Sequence, residues 1–185
     1  MDQASSTIDL QLRSLRSVLS KQNPVWASTI QPDIRSADQV HDQLVGLVGS
    51  APSELVAWFT WKLGPGPRDS SPEVFLGSRA LPLGDPKASY YQSIITPEKK
   101  VALFSRRERR FAYAQVVPGA ETVEIWDHHL EDPPTLSARS LTEYLQCWID
   151  FATSVVLWDP EINGWKPGVG LPAARAAEVQ RVLAI

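Results

Sequence analysis

Helical and strand-like hydrophobic patterns occupy separate parts of this chain, and their order limits the fold more than any other feature. The N-terminal third predicts three helices, each with an apolar face at helical spacing. The first ends at Pro24, the second lies between Ser36 and Gly49, and the third lies between Pro52 and Gly64. The residues predicted to face inward are Ile8, Leu12, Leu15 and Leu19 in the first helix, Val40, Leu44, Leu47 and Val48 in the second, and Leu55, Val56, Phe59 and Leu63 in the third.

The middle of the chain predicts a small sheet. After the loop composition GPGPRDSSP at 64–72, short strands are predicted at 73–76, 80–83 and 99–104, with a brief helix at 87–95. Side chains alternate along 111–117 and 121–127, on either side of Pro118-Gly119. This arrangement predicts an antiparallel hairpin.

Helical spacing returns after the hairpin. Ser140 and Glu143 have the spacing of a capping box, and an apolar face follows them, made of Leu141, Leu145, Trp148, Ala152 and Val155. A loop containing Gly164, Gly168 and Gly170 and a helix from about Pro172 complete the chain. The predicted fold is a single α+β domain, in which a small, mainly antiparallel sheet packs with the N-terminal helices and the helix after the last hairpin.

Composition narrows the class of protein. A chain of 185 residues with 43% hydrophobic content suits one domain with a substantial core. The net charge of −3 gives no overall attraction to nucleic acid or to an anionic membrane. The lone Cys147 cannot form an internal disulfide, the start MDQASSTIDLQ lacks the pattern of a secretory signal, and no apolar stretch approaches the roughly 20 residues of a membrane helix. A soluble, cytoplasmic protein is expected.

Three blocks of sequence, taken in order, resemble the SUKH superfamily, which includes fungal cell-wall assembly regulators and bacterial toxin-immunity proteins. They are IQPDIRSADQVHDQLVGLVGSAPSELVAWFTWKLG at 30–64, FLGSRALPL at 75–83, and RRFAYAQVVPGAETVEIWDHH followed by SLTEYLQCWID. The resemblance implies a SUKH-like α+β domain at 25–156. It also implies structural roles for the residues that match the family pattern, which are Pro52, Trp58, Trp61, Gly64, Trp126 and Asp127.

The chain departs from the family pattern in several places. Lys62-Leu63 replaces the usual His-Asn before Gly64, and the segment between Tyr90 and Phe104 lacks a tryptophan-rich strand. An N-terminal helix at 1–24 and a C-terminal loop and helix at 157–185 lie outside the match. Residues Val179, Val182 and Leu183 of that last helix are apolar and suit packing either within the chain or against a second copy.

The segment ETVEIWDHHLEDPP at 121–134 sets two histidines among five carboxylates and raises the question of a metal or acid/base site. If the strand persists, adjacent His128 and His129 leave it on opposite faces and cannot share a metal ion. Trp126 is then expected to pack inward. Cys147 lies in a helical apolar pattern and is expected to be a core residue. No catalytic, metal-binding or cofactor-binding residue is predicted, and the chain is expected not to be an enzyme.

Charge is distributed unevenly along the chain. KKVALFSRRERR at 99–110 carries a local charge of +5, which leaves −8 for the rest. Residues 111–138 contain no lysine or arginine, and within them lie the carboxylates predicted to contact a partner, namely Glu121, Glu124, Asp127, Glu131 and Asp132. A negative patch complements the basic cleft of a nuclease or nucleic-acid deaminase.

The resulting functional prediction is an immunity protein that binds and neutralises a toxin of this type in the producing bacterium, as the SUKH resemblance also implies. The alternative is a regulatory or scaffold protein that binds a cellular partner through the same fold. Nucleic-acid binding through SRRERR is a third interpretation, although a basic run between two strands without interleaved aromatics is typical of a solvated turn.

Overall fold

The computed structural model describes residues 3–22, 30–32, 35–63, 78–81, 83, 99–106, 110–159, 161 and 164–183. Within these residues the helices are α1 (Gln3–Gln22), α2 (Ala37–Val48), α3 (Ser53–Phe59), α4 (Leu141–Asp150) and α5 (Ala173–Leu183). A π-helical turn, Phe151–Val155, continues α4. The predictions at 73–76 and 87–95, and Gly64, lie outside the described residues.

The described strands form one larger sheet and two small ribbons. The larger sheet is antiparallel and has the order β3-β4-β5-β6-β7, with β3 (Ser78–Ala80), β4 (Lys100–Arg106), β5 (Arg110–Gln115), β6 (Glu124–His129) and β7 (Thr135–Ala138). The ribbons pair β1 (Ile30–Pro32) with β2 (Trp61–Leu63) and β8 (Val156–Asp159) with β9 (Gly164–Pro167). The architecture is the predicted single α+β domain.

The helices pack on one face of the sheet, here called the core face. The four predicted inward residues of α1 are each at most 2% exposed, and α1 packs against α3 and α4. Val101, Ala112, Ala114 and Ile125 supply the sheet side of the same cluster. The opposite face, here called the outer face, carries a second cluster of Leu81, Ala102, Phe111 and Tyr113. The described strands are therefore apolar on both faces.

Local signals define α2 at both ends. Ser36 and Gln39 form a complete capping box at its start, and Gly49 closes it in the left-handed conformation at φ 78°. Val40, Leu44 and Val48 are buried as predicted. Leu47 is not, because it lies 37% exposed on the solvent side of the helix.

The third helix is shorter than predicted. It ends at Phe59, and Trp61–Leu63 forms β2 instead of a last helical turn. The Thr60 hydroxyl donates to the carbonyl of Ala57 at 2.7 Å, and the Trp61 indole N–H donates to Asp9 of α1 at 3.0 Å. Pairing with β1 and this bond to α1 replace the hydrogen bonds that a longer helix would provide.

Both terminal segments belong to the same core as the sheet. Val179, Val182 and Leu183 of α5 are at most 1% exposed and pack within this chain. Arg175 of α5 donates to Asp150 of α4 at 2.7 Å. Of the predicted glycine loop before α5, Gly168 and Gly170 lie in a loop as predicted, whereas Gly164 begins β9. The strand predicted at 80–83 is β3, at 78–80. Among the described residues, none of the helices combines the length and the apolarity that crossing a bilayer would require.

Candidate functional site

Strand β6 and its flanking turns carry all five carboxylates that the sequence predicts at a partner surface. Glu121 and Glu124 lie at the start of the strand, and Glu131 and Asp132 lie beyond its end. A rise of about 3.3 Å per residue places the two ends of β6 roughly 16 Å apart. The carboxylates therefore form two separate groups and do not converge on one point.

Both carboxylates of the first group make hydrogen bonds within the fold, and Glu121 is also exposed to solvent. The Glu121 carboxylate accepts a hydrogen bond from the backbone N–H of Ser53 at 3.4 Å, and its carbonyl accepts one from the Ser53 hydroxyl at 3.4 Å. Glu124 is half-buried and accepts a hydrogen bond from the indole N–H of Trp126 at 3.2 Å. The two bonds from Ser53 hold the hairpin against the start of α3.

Asp127 lies on the core face of β6 and is only 4% exposed. Its register partners are Ala112 on β5 and Thr135 on β7, and Arg110 approaches its carboxylate at 3.7 Å. A carboxylate at this depth is not presented to a protein partner. Asp127 therefore occupies a structural position within the sheet.

Glu131 and Asp132 form the exposed acidic turn between β6 and β7. The N–H of Asp132 donates to the carbonyl of His129 at 3.0 Å, and its carboxylate lies 3.1 Å from His129 Nδ1. The side chain of Asp132 is 71% exposed. Of the five predicted residues, these two are the ones best placed to meet a partner.

The two histidines lie on opposite faces, as the alternation of a strand requires. His128 packs on the outer face against Phe111, with ring centroids 5.1 Å apart, whereas His129 contacts Asp132. Within the part of the chain that the structure describes, no three His, Cys, Asp or Glu side chains are grouped so that they would hold a metal ion.

Trp126 packs against the second cluster and not into the main core, because its strand position faces outward. Four side chains on this face remain half-buried: Trp126 and His128 on β6, Leu130 just after the end of β6, and Leu136 of β7, which pairs with Trp126. On β5, one strand further in, Phe111 and Tyr113 on the same face are at most 1% exposed. The four half-buried side chains are here called the outer-face stripe.

Apart from the half-buried Trp126, the family-pattern residues that the structure describes are buried. Trp58 is 1% exposed and packs edge-on against Phe104 at 5.3 Å, and Trp61 is 5% exposed. Pro52 is buried immediately before α3. All three therefore have structural positions.

Glu54 is the feature that sequence reasoning missed. This glutamate of α3 is fully buried, and both of its carboxylate oxygens are occupied. One oxygen accepts hydrogen bonds from the N–H groups of Val123 at 3.0 Å and Leu141 at 3.1 Å, and the other accepts from the N–H of Thr142 at 3.1 Å and its hydroxyl at 2.8 Å. Nothing in SELVAWF marks this position, because its partners lie 69 to 88 residues away.

The Glu54 site is a structural junction and not a reaction centre. The first two residues of α4 supply three of its four hydrogen bonds, so the carboxylate complements the positive end of that helix. Its acceptor positions face protein donors, and no solvent reaches it.

Cys147 is fully buried on α4. Burial raises the pKa of its thiol to about 11, from an ordinary value of 9.0. Because the thiolate is the nucleophilic form, this thiol is poorly suited to nucleophilic chemistry near neutral pH.

Neither a protein-family model nor a curated protein matches this sequence.

Proposed function

We propose that this chain is a non-enzymatic protein-binding module of the SUKH type, acting as an immunity protein that binds and neutralises a nuclease or deaminase toxin inside the producing cell. The observation that carries the proposal is the exposed pair Glu131 and Asp132, within an interval of 28 residues (111–138) that contains no lysine or arginine. Such a turn would meet the basic cleft of an enzyme that acts on nucleic acid.

The internal chemistry of the fold is consistent with a binding role. The buried carboxylates of the described residues, Glu54 and Asp127, face partners within the protein, and Cys147 is buried with a raised pKa. The exposed groups of β6 and its turns instead offer charge and hydrogen-bonding atoms at the surface.

The direct test is binding to the protein encoded immediately upstream of this chain's gene, and protection of a host that expresses that protein. Wild-type chain should bind it and restore growth. The double variant Glu131→Lys and Asp132→Lys should bind on the order of a hundredfold more weakly, because like charges then face the cleft. Wild-type chain that neither binds nor protects would refute the proposal.

A charge-matched control separates a local contact from an effect of net charge. Asp42→Lys with Glu161→Lys makes the same change of charge at two exposed positions away from the β6–β7 turn. This control should retain wild-type affinity. Thermal unfolding of both double variants verifies that each remains folded.

A further inference from the structure

The outer face of the sheet is unevenly covered. Phe111 and Tyr113 on β5 are at most 1% exposed, whereas the outer-face stripe on β6 and β7 is half-buried. Trp126 and Leu130 pack against the second cluster from one side. The stripe therefore packs against the second cluster on one side and is partly exposed to solvent on the other.

The composition of the stripe is typical of the centre of a protein–protein contact. It combines a tryptophan, a histidine and two leucines on a sheet of fixed register. Tryptophan is enriched among the residues that contribute most to binding, especially when the side chain is already ordered in the free protein. The indole of Trp126 is ordered by its bond to Glu124 and by the packing beneath it.

The charges around the stripe favour one kind of partner. Glu124 lies at one end of it on the same face, and the acidic turn of Glu131 and Asp132 lies at the other. On the outer face, the described cation Lys100 lies on β4 and is stacked over Tyr113 at 4.8 Å. An apolar centre between two acidic ends complements a protein surface whose apolar patch is bordered by lysine and arginine.

The partner would meet the face of the sheet and not its edge. β7 is the edge strand, but α5 lies beside it, and Arg181 of α5 donates to the carbonyl of Ser137 at 3.0 Å. This bond occupies a main-chain acceptor that an added strand would need. A partner would therefore contact the side chains of the stripe on the face of the sheet.

We propose that the outer-face stripe is the centre of the partner contact, and that its occupant is a protein surface with an apolar patch bordered by basic residues. This inference rests on the proposed binding function and adds to it an apolar contact that the carboxylates alone do not supply. Glu124 and the acidic turn then form the two ends of one contact surface that runs along the whole of β6, a strand about 16 Å long.

The test combines substitution with a direct spectroscopic probe. Trp126→Ala and Leu136→Ala should each weaken binding of the upstream-encoded protein by at least about tenfold. Matched controls are Leu10→Ala and Val45→Ala, which remove exposed apolar side chains from α1 and α2. The controls should bind as the wild type does.

A measurement on unsubstituted protein guards against loss of folding in these variants. With 5-fluorotryptophan in all seven tryptophans, the ¹⁹F resonance assigned by Trp126→Phe should shift when the upstream-encoded protein is added. The resonance of Trp58, buried in the main core, should not.

The outcomes separate the two proposals. If the wild type binds while both stripe variants bind equally well and the Trp126 resonance is unmoved, the stripe is refuted and the binding function stands. If the wild type does not bind, both are overturned. If the chain forms a concentration-dependent dimer that Trp126→Ala abolishes, the occupant of the stripe is a second copy. If a DNA or RNA oligonucleotide binds and moves the Trp126 resonance, the occupant is a nucleic acid. Either result overturns the inference.

Discussion

The carboxylate of Glu54 accepts a hydrogen bond from the backbone N–H of Leu141 at 3.1 Å, although 87 residues separate the two in the chain. Leu141 is the first residue of α4, so the bond fixes the start of that helix to α3. The same oxygen also receives the N–H of Val123, from the hairpin. One buried charge therefore connects three segments that are distant in sequence.

Replacing Glu54 should be among the most destabilising single changes in the described fold. Glu54→Ala leaves three N–H groups and one hydroxyl without their acceptor in a buried site, each lost bond costing about 1–3 kcal/mol before relaxation. We expect the free energy of unfolding to fall by on the order of 3 kcal/mol or more, as measured by urea denaturation.

Two milder variants test whether the loss of stability follows the number of hydrogen bonds removed. Glu54→Gln keeps the shape of the side chain but turns one acceptor into a donor, so it should lose less than the alanine variant. Thr142→Val removes only the hydroxyl donor and should lose about 1 kcal/mol. An alanine variant within about 0.5 kcal/mol of wild type would show that water or a rearranged backbone replaces the carboxylate.

Glu54 also marks the limit of what the sequence could predict. The helix α2 and the β5–β6 hairpin were predictable because their caps and turns are local in sequence. In α4, the Ser140 hydroxyl accepts from the N–H of Glu143 as predicted, but the Glu143 carboxylate accepts from the N–H of Arg139, so the capping box is only half formed. The bonds from α4 to Glu54 have no local pattern at all.

Elements that depend on distant pairing were the ones that sequence reasoning missed. The last turn of the predicted third helix forms β2 because β1 pairs with it, with Ile30 opposite Leu63. The acidic interval could be identified from the sequence, but which of its carboxylates are buried could not. Asp127 is buried because it lies on the side of the sheet that the helices cover, whereas Asp132 lies in the turn after β6 and is exposed.

Alanine substitutions at two glycines three residues apart should change the free energy of unfolding in opposite directions. Gly46 lies in the exposed interior of α2 with nothing near the position of an added Cβ, so Gly46→Ala should stabilise the protein by about 0.5–1 kcal/mol. Gly49 ends the helix at φ 78°, where an L side chain is strained, so Gly49→Ala should cost about 1 kcal/mol. Equilibrium unfolding of both variants checks the pair, and two changes of the same sign would contradict the assigned end of α2.

The raised pKa of Cys147 predicts a loss of stability at high pH. The neutral thiol is favoured in the fold, whereas the unfolded chain ionises near its ordinary pKa of 9.0 and the folded chain near about 11. The contribution of the neutral thiol to the free energy of unfolding is therefore complete below pH 9. It falls by up to about 1.4 kcal/mol per pH unit between pH 9 and pH 11.

The variant Cys147→Ala isolates this effect, because other groups also titrate in the same range. The difference in free energy of unfolding between wild type and variant should shrink as the pH rises from 8 to 10.5. In the folded wild type at pH 8, a thiol reagent should label Cys147 only as fast as the protein opens. Rapid labelling of folded protein would contradict the buried position of this side chain.

The exposed acidic turn makes a kinetic prediction for the proposed partner. If Glu131 and Asp132 steer a basic cleft, the association rate of wild-type chain with the upstream-encoded protein should fall by about tenfold or more as salt rises from 50 to 500 mM. The neutral variant Glu131→Gln with Asp132→Asn should associate more slowly at low salt and depend less on salt. Its dissociation rate should change little, because exposed charges at the rim of a contact act mainly before docking is complete. Stopped-flow association measured across this salt range separates the possibilities: identical salt dependence in wild type and neutral variant would exclude the turn as the steering element and place the charged contact elsewhere on the protein.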